Sequence, residues 1–183
     1  TDYLYDAVGR LAAIGAPNGD QVAFAYDPGG RLTEKWLPNG VSTRYAYNPD
    51  NTLSQVLNRM GPTVVSQHDY TYDGVANRAT HTELIAGTTT PYQYAYDPLD
   101  RLTEVRNTTT NAPIEAYTYD PLGNRPTKTS GTTTYYTYDS ANQLTQLCIG
   151  TPSCATPATF TYDLAGNLTT RTDGAATYTY DAL

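Results

Sequence analysis

The sequence predicts an all-β chain, a repeat-built ribbon of antiparallel β-hairpins coiling as a spiral or shell-wall β-sheet. Three observations carry that expectation. An aromatic-x-aromatic-Asp phrase returns nine times in 183 residues. Each copy leads into a short segment of turn-forming Asp, Pro, Gly and Asn. No helical pattern runs anywhere in the chain to supply a second layer over a sheet.

The copies are Tyr3-Leu-Tyr5-Asp6, Phe24-Ala-Tyr26-Asp27 and Tyr45-Ala-Tyr47-Asn48, then Tyr70-Thr-Tyr72-Asp73, Tyr94-Ala-Tyr96-Asp97 and Tyr117-Thr-Tyr119-Asp120. Tyr136-Thr-Tyr138-Asp139, Phe160-Thr-Tyr162-Asp163 and Tyr178-Thr-Tyr180-Asp181 complete the series. Successive second tyrosines lie 21, 21, 25, 24, 23, 19, 24 and 18 residues apart. Nine copies of one phrase describe a repeat, so the repeat is the first thing to explain.

Within each phrase the two aromatics point to one side, because side chains alternate along a strand. Tyr5, Tyr26, Tyr47, Tyr72, Tyr96, Tyr119, Tyr138, Tyr162 and Tyr180 therefore form an aromatic ladder. The turn follows. Asp6, Asp27, Asp97, Asp120, Asp139 and Asp163 are placed to bond the backbone two residues on, and Pro28, Pro49, Pro98 and Pro121 preset φ. Gly9, Gly30, Gly123 and Gly166 occupy the position four residues after the tyrosine, where positive φ is expected. Asn51, Asp100, Asn142 and Ala76 stand there in other repeats, and Ala76 is the misfit for which Asn77 is the expected substitute.

A second strand then opens with Leu11, Leu32, Leu53, Leu102, Leu144 or Leu168, as in "RLTEKWL". Arg78 and Arg125 stand in that place in repeats four and six, which predicts turns one residue longer there. Variable returns such as "GAPNGD" and "NTTTNAP" close each hairpin and absorb the spread in repeat length. Nine hairpins give up to about 18 strands, a ribbon of about 80 Å at about 4.8 Å per strand. Twisted sheets beyond about ten strands curl or split, hence the spiral or shell wall.

Composition narrows the function. Leu, Ile, Val and Phe number only 29, but 18 tyrosines add apolar area at regular positions, which favours an ordered chain. Net charge is −7, with 18 acidic against 11 basic residues, so a nucleic-acid partner is not expected. No apolar run approaches the length of a membrane-spanning helix. Thr1 is not an initiator Met, and the expectation is a single array over residues 1–183, part of a longer repeat protein.

The motif Tyr-Asp-x-x-Gly-Arg/Asn-Leu-Thr, seen in "YDAVGRLAA", "YDPGGRLTE", "YDPLDRLTE" and "YDLAGNLTT", resembles the YD repeats of the RHS/YD-repeat family over essentially the whole chain. The resemblance implies a long β-sheet spiralling into a hollow shell. In bacterial toxins of that family the shell encloses a C-terminal toxic domain, and related shells occur in insecticidal toxin complexes and in teneurins. The family's autoproteolytic core segment has no counterpart among these residues.

The residues offer little catalytic chemistry. A ladder of equivalent turn aspartates gives no pair with separated pKa values, so turn capping is the expected role. The tyrosines suit cross-strand packing, with sugar stacking as the alternative use. His68 and His81 lie 13 residues apart, outside metal-ligand spacing, and a strand or surface role is expected. No nucleophile elbow, phosphate loop, zincin motif or calcium loop occurs, and no cofactor or metal is expected. Cys148 and Cys154 bracket a Gly/Pro loop, which suggests a local disulfide in an oxidising compartment, with two free thiols as the alternative.

The functional expectation is a non-enzymatic wall segment of a secreted or cell-surface bacterial shell that encapsulates a toxin. Its expected partners are the rest of the parent chain or neighbouring copies through open β-edges, and an enclosed toxin domain. An adhesin with aromatic carbohydrate contacts, or a fibre subunit, is the alternative.

Overall fold

The computed structural model describes residues 1–174 and 176–180. The described residues hold seventeen strands and no helix. They are β1 (Asp2–Tyr5), β2 (Leu11–Gly15), β3 (Gln21–Tyr26), β4 (Leu32–Trp36), β5 (Val41–Tyr47), β6 (Leu53–Met60), β7 (Thr63–Tyr72), β8 (Arg78–Ile85) and β9 (Thr88–Tyr96). The series continues with β10 (Leu102–Asn107), β11 (Ala112–Thr118), β12 (Thr127–Ser130), β13 (Thr132–Tyr138), β14 (Leu144–Ile149), β15 (Ala158–Tyr162), β16 (Leu168–Asp173) and β17 (Ala176–Thr179).

The chain divides into two compact units, Thr1–Gln93 and Tyr94–Leu183. In the first, each strand from β1 to β8 pairs antiparallel with the next in sequence. In the second, the strands from β10 to β17 pair in the same way. Each unit is thus a meander of hairpins, which a chain of short local repeats builds without any long crossover.

Six of the aromatic phrases end in the same irregularity. Tyr5 pairs with Leu11 and Leu4 with Ala13, so Ala12 is skipped. The pairs Tyr26↔Leu32, Tyr47↔Leu53, Tyr72↔Arg78, Tyr138↔Leu144 and Tyr162↔Leu168 repeat that register shift. It is a β-bulge, in which two residues of one strand oppose one of the other and the local twist increases.

The turn before the bulge is equally regular. The Asp6 N–H donates to the Arg10 carbonyl at 2.8 Å and the Gly9 N–H donates to the Asp6 carbonyl at 3.0 Å, a pattern shared by the eight turns that follow aromatic phrases, down to Asp163–Asn167, and by the returns Ala16–Asp20 and Leu37–Val41. Repeats four and six keep this length, with Asp73 bonded to Asn77 and Asp120 to Asn124. The longer turns expected there do not occur, because Arg78 pairs directly opposite Tyr72 and simply takes the Leu position. Nor does Asn77 substitute for Ala76: Ala76 itself adopts φ 67°. The closing hydrogen bonds of the turn fix the backbone, and the Cβ bears the strain.

Burial matches sheets without a second layer. Among the described residues Ala13, Leu57, Thr43, Cys148 and Ala158 are buried, and most strand residues are half-buried. Side chains here cover one another along the sheet surface, so stability rests on neighbour-to-neighbour contacts.

Candidate functional site

The turn residues and six of the ladder tyrosines take part in one recurring arrangement. In the first repeat Asp6 Oδ1 accepts the N–H groups of Val8 and Arg10 at 3.0 and 2.9 Å, while Oδ2 accepts Arg10 Nε at 2.7 Å. Arg10 Nη1 then donates to the Asp27 carbonyl of the next repeat at 3.0 Å, and its guanidinium lies 4.8 Å from the centre of the Tyr26 ring. The Tyr26 hydroxyl closes the circuit by donating to the Leu11 carbonyl at 2.9 Å.

The early end of the ladder between repeats explains why this clasp is needed. The β2–β3 ladder ends at Ala13↔Ala23, so the strand ends at Leu11 and Tyr26 have no ladder with each other. Backbone carbonyls shielded from water demand a partner. The ladder tyrosine supplies one: Tyr47 to Leu32, Tyr72 to Leu53, Tyr119 to Leu102, Tyr138 to Arg125 and Tyr162 to Leu144, at 2.8–3.2 Å. Arg31 over Tyr47 and Arg101 over Tyr119 repeat the cation–π contact at 4.8 and 4.5 Å. Each such contact contributes about 0.5–1 kcal/mol at an exposed site.

Where Arg is missing, a shorter side chain keeps half of the clasp. Asn124 Nδ2 donates to Asp120 Oδ2 at 2.9 Å and to Asn142 Oδ1 at 3.0 Å, and Asn167 Nδ2 donates to Asp163 Oδ2 at 3.0 Å. Asp97 Oδ1 accepts from the Leu99 and Arg101 N–H groups, and Asp139 Oδ1 from those of Ala141 and Gln143. Gly9, Gly30, Gly123 and Gly166 sit at φ of 83–90°. Tyr5 is exposed, Tyr96 ends β9, and the Tyr180 N–H donates to the Thr169 carbonyl at 3.0 Å. Asp181, the last aspartate of the series, lies outside the described residues.

The carboxylates of Asp6, Asp27, Asp97, Asp120 and Asp163 are held ionised. Arg31 lowers the Asp27 pKa, first through its side-chain hydrogen bond and then through its backbone N–H. For Asp6 the Arg10 backbone N–H leads and the side chain follows. Asp97 is lowered chiefly by the Arg101 side chain, Asp120 by that of Asn124 and Asp163 by that of Asn167. Such carboxylates are acceptors fixed in use, with no proton to give near neutral pH.

A second cluster breaks the repeat. His68 faces Glu83 across β7 and β8, and Tyr70 faces His81, which in turn faces Tyr92 on β9. His68 Nδ1 and His81 Nε2 lie 3.1 Å apart, and the Tyr92 hydroxyl donates to Glu83 Oε1 at 2.8 Å. His81 stacks with His68, Tyr70 and Tyr92 at centroid separations of 5.3, 4.9 and 5.5 Å. Burial, then the neighbouring His68, pushes the His81 pKa below its usual value. The structure thus brings together two histidines that sequence spacing keeps apart.

Cys148 and Cys154 are joined by a disulfide across a six-residue separation. Two shallow depressions of about 210 Å³ flank Glu115 and Asp173. They are smaller than the roughly 300–1,000 Å³ of ordinary ligand pockets.

Comparison with known proteins matches residues 53–183 to the Teneurin YD-shell family and residues 5–35 to the RHS repeat. The chain belongs to the RHS/YD-repeat family. A crystal structure of TcdB2-TccC3-Cdc42 superposes with a TM-score of 0.71 at 18% identity, over 96% of this chain and 11% of the other. A crystal structure of TcdB2-TccC3 gives 0.70 at 18%, over 96% and 12%. The Photorhabdus luminescens Tc holotoxin pore gives 0.50 at 15%, over 97% and 14%. The chain therefore spans about a tenth of the length of the TcdB2-TccC3 chains it resembles. No curated protein matches it.

In this RHS/YD-repeat chain the Tyr–Asp pair of the motif supplies the clasp hydroxyl and the turn cap, and the Arg that follows joins one repeat to the next. Residue spacing along the chain hides the histidine cluster, which the strand register creates. Counting outward from the Asp73–Asn77 turn places His68 opposite Glu83 and Tyr70 opposite His81, which makes the histidines diagonal neighbours.

Proposed function

We propose that the chain is a non-enzymatic wall segment of a hollow YD shell. It belongs, in this reading, to a longer repeat protein exported by a bacterium, whose shell encloses a toxic domain and delivers it. The observation that carries the reading is the clasp. In the complete repeats Asp, Arg and Tyr side chains are committed to turn caps and repeat-to-repeat bonds, so the motif builds wall. The likeness to TcdB2-TccC3 chains and the Cys148–Cys154 bond, which suits an oxidising extracellular setting, support the same reading.

The partners are then the flanking repeats of the parent chain, meeting this one through β1 and β17, and the enclosed domain. Every residue of those two strands is exposed. The same exposure, with Tyr3, Tyr5, Tyr178 and Tyr180 uncovered, favours a second reading, a fibre or adhesin that joins copies or stacks sugars.

Limited proteolysis of the full-length parent separates the two. A terminal domain that survives while the shell is intact, and is digested once the shell is unfolded in urea, supports enclosure. A terminal domain digested at one rate in both conditions, or micromolar binding of soluble sugars to the repeats, favours the adhesin.

A further inference from the structure

The aromatic faces of β7, β8 and β9 carry a donor set that no wall function requires. We propose that His68, His81 and Glu83 form a binding site for a divalent transition-metal ion of the zinc class. The one ligand atom that each residue offers lies within 4.8 Å of the other two. His68 Nδ1 and His81 Nε2 are already 3.1 Å apart. Two nitrogens bound to one tetrahedral zinc at about 2.0–2.1 Å are separated by about 3.3 Å. An ion can thus take the place of the hydrogen between the rings with little movement of the strands.

The chemistry balances without a co-reactant. In the metal-free cluster one ring N–H donates to the other ring's lone pair. Coordination needs Nδ1 of His68 and Nε2 of His81 both unprotonated, so that proton moves to the far nitrogen of its own ring through solvent. Both rings stay neutral, and a modest χ2 rotation, broad for histidine, turns the two lone pairs toward a common point. Glu83 brings the anionic oxygen.

The surroundings orient these groups. Tyr92 donates to Glu83 Oε1, the kind of outer hydrogen bond that fixes a ligating carboxylate. The stack of Tyr70, His81 and Tyr92 holds the His81 ring. Arg78 is the cation with which the ion shares the cluster, and its guanidinium is drawn over the Tyr70 ring at 4.7 Å. Two imidazoles and one carboxylate, with water completing the shell, suit zinc or copper rather than magnesium or calcium.

The chain contains only two histidines, so its imidazole nitrogen signals report this cluster alone. Zinc chloride titrated into the 15N-labelled 183-residue chain should shift both rings together and saturate at one ion per chain. Calorimetry should give the same stoichiometry. Glu83→Gln should weaken binding about tenfold or more, His81→Gln should remove the saturable phase, and Tyr92→Phe should weaken it within the roughly 10–100-fold range of lost outer contacts. Far-UV circular dichroism checks the fold of each variant. Should a variant fail to fold, the wild-type spectra decide alone. The proposal is overturned if the rings do not move, if only one moves, or if a stoichiometric site persists undiminished in folded His81→Gln.

Discussion

At the residue scale, an aspartate, an arginine and a tyrosine hydroxyl do the work that a sheet ladder does elsewhere. Tyr47→Phe removes the bond to the Leu32 carbonyl while keeping the ring under Arg31. It should lower stability by about 1 kcal/mol, read from the urea midpoint. An unchanged midpoint would show that the carbonyl is satisfied without the hydroxyl. The carboxylates set an acid limit. Because Arg31 lowers the Asp27 pKa below its ordinary value of 3.8, that group contributes fully above about pH 5. Its contribution fades as pH falls through the lowered folded value. Between about pH 6 and pH 3 the urea midpoint should therefore drop, and Asp27→Asn should drop less over the same interval. A variant as acid-sensitive as the parent would dissociate Asp27 from the effect.

At the element scale, the turn and the bulge together define one repeat. Gly123 sits at φ 90° and Ala76 at 67°, the same turn position filled by a residue that fits and one that does not. Gly123→Val should destabilise by more than about 1 kcal/mol relative to Leu122→Val, whose site is exposed. Ala76→Gly should instead stabilise, by about 0.5–1 kcal/mol, since relief of the left-handed strain outweighs the entropy gained by the unfolded chain. Thermal melts of the pair with opposite signs would settle the assignment; equal signs would refute it. The strand pattern was legible in sequence because alternation and turn composition depend only on residues within a few positions. The clasp was not, since Arg10 acts on Asp27 and Tyr26 of the following repeat. The bulge is not legible either. Its skipped residue, Ala12, Thr33 or Ser54, carries no side-chain signature of its own.

At the scale of the whole molecule, a chain whose contacts run from neighbour to neighbour behaves as a one-dimensional array with ends. Uncovered end strands recruit partners. The isolated chain should accordingly associate in light scattering at tens of micromolar, and Tyr3→Pro in β1 or Thr179→Pro in β17 should abolish that association by removing an outward-facing backbone donor. A monodisperse parent chain would show that the end strands are capped. Such association is expected if, as proposed, this RHS/YD-repeat chain is one stretch of a closed shell whose neighbouring repeats are missing. Electron cryo-microscopy of the full-length parent tests that most directly. A hollow closed particle, with residues 1–183 traced as consecutive wall hairpins and density inside, is the expected result. An open fibre of the same hairpins with nothing enclosed would contradict it.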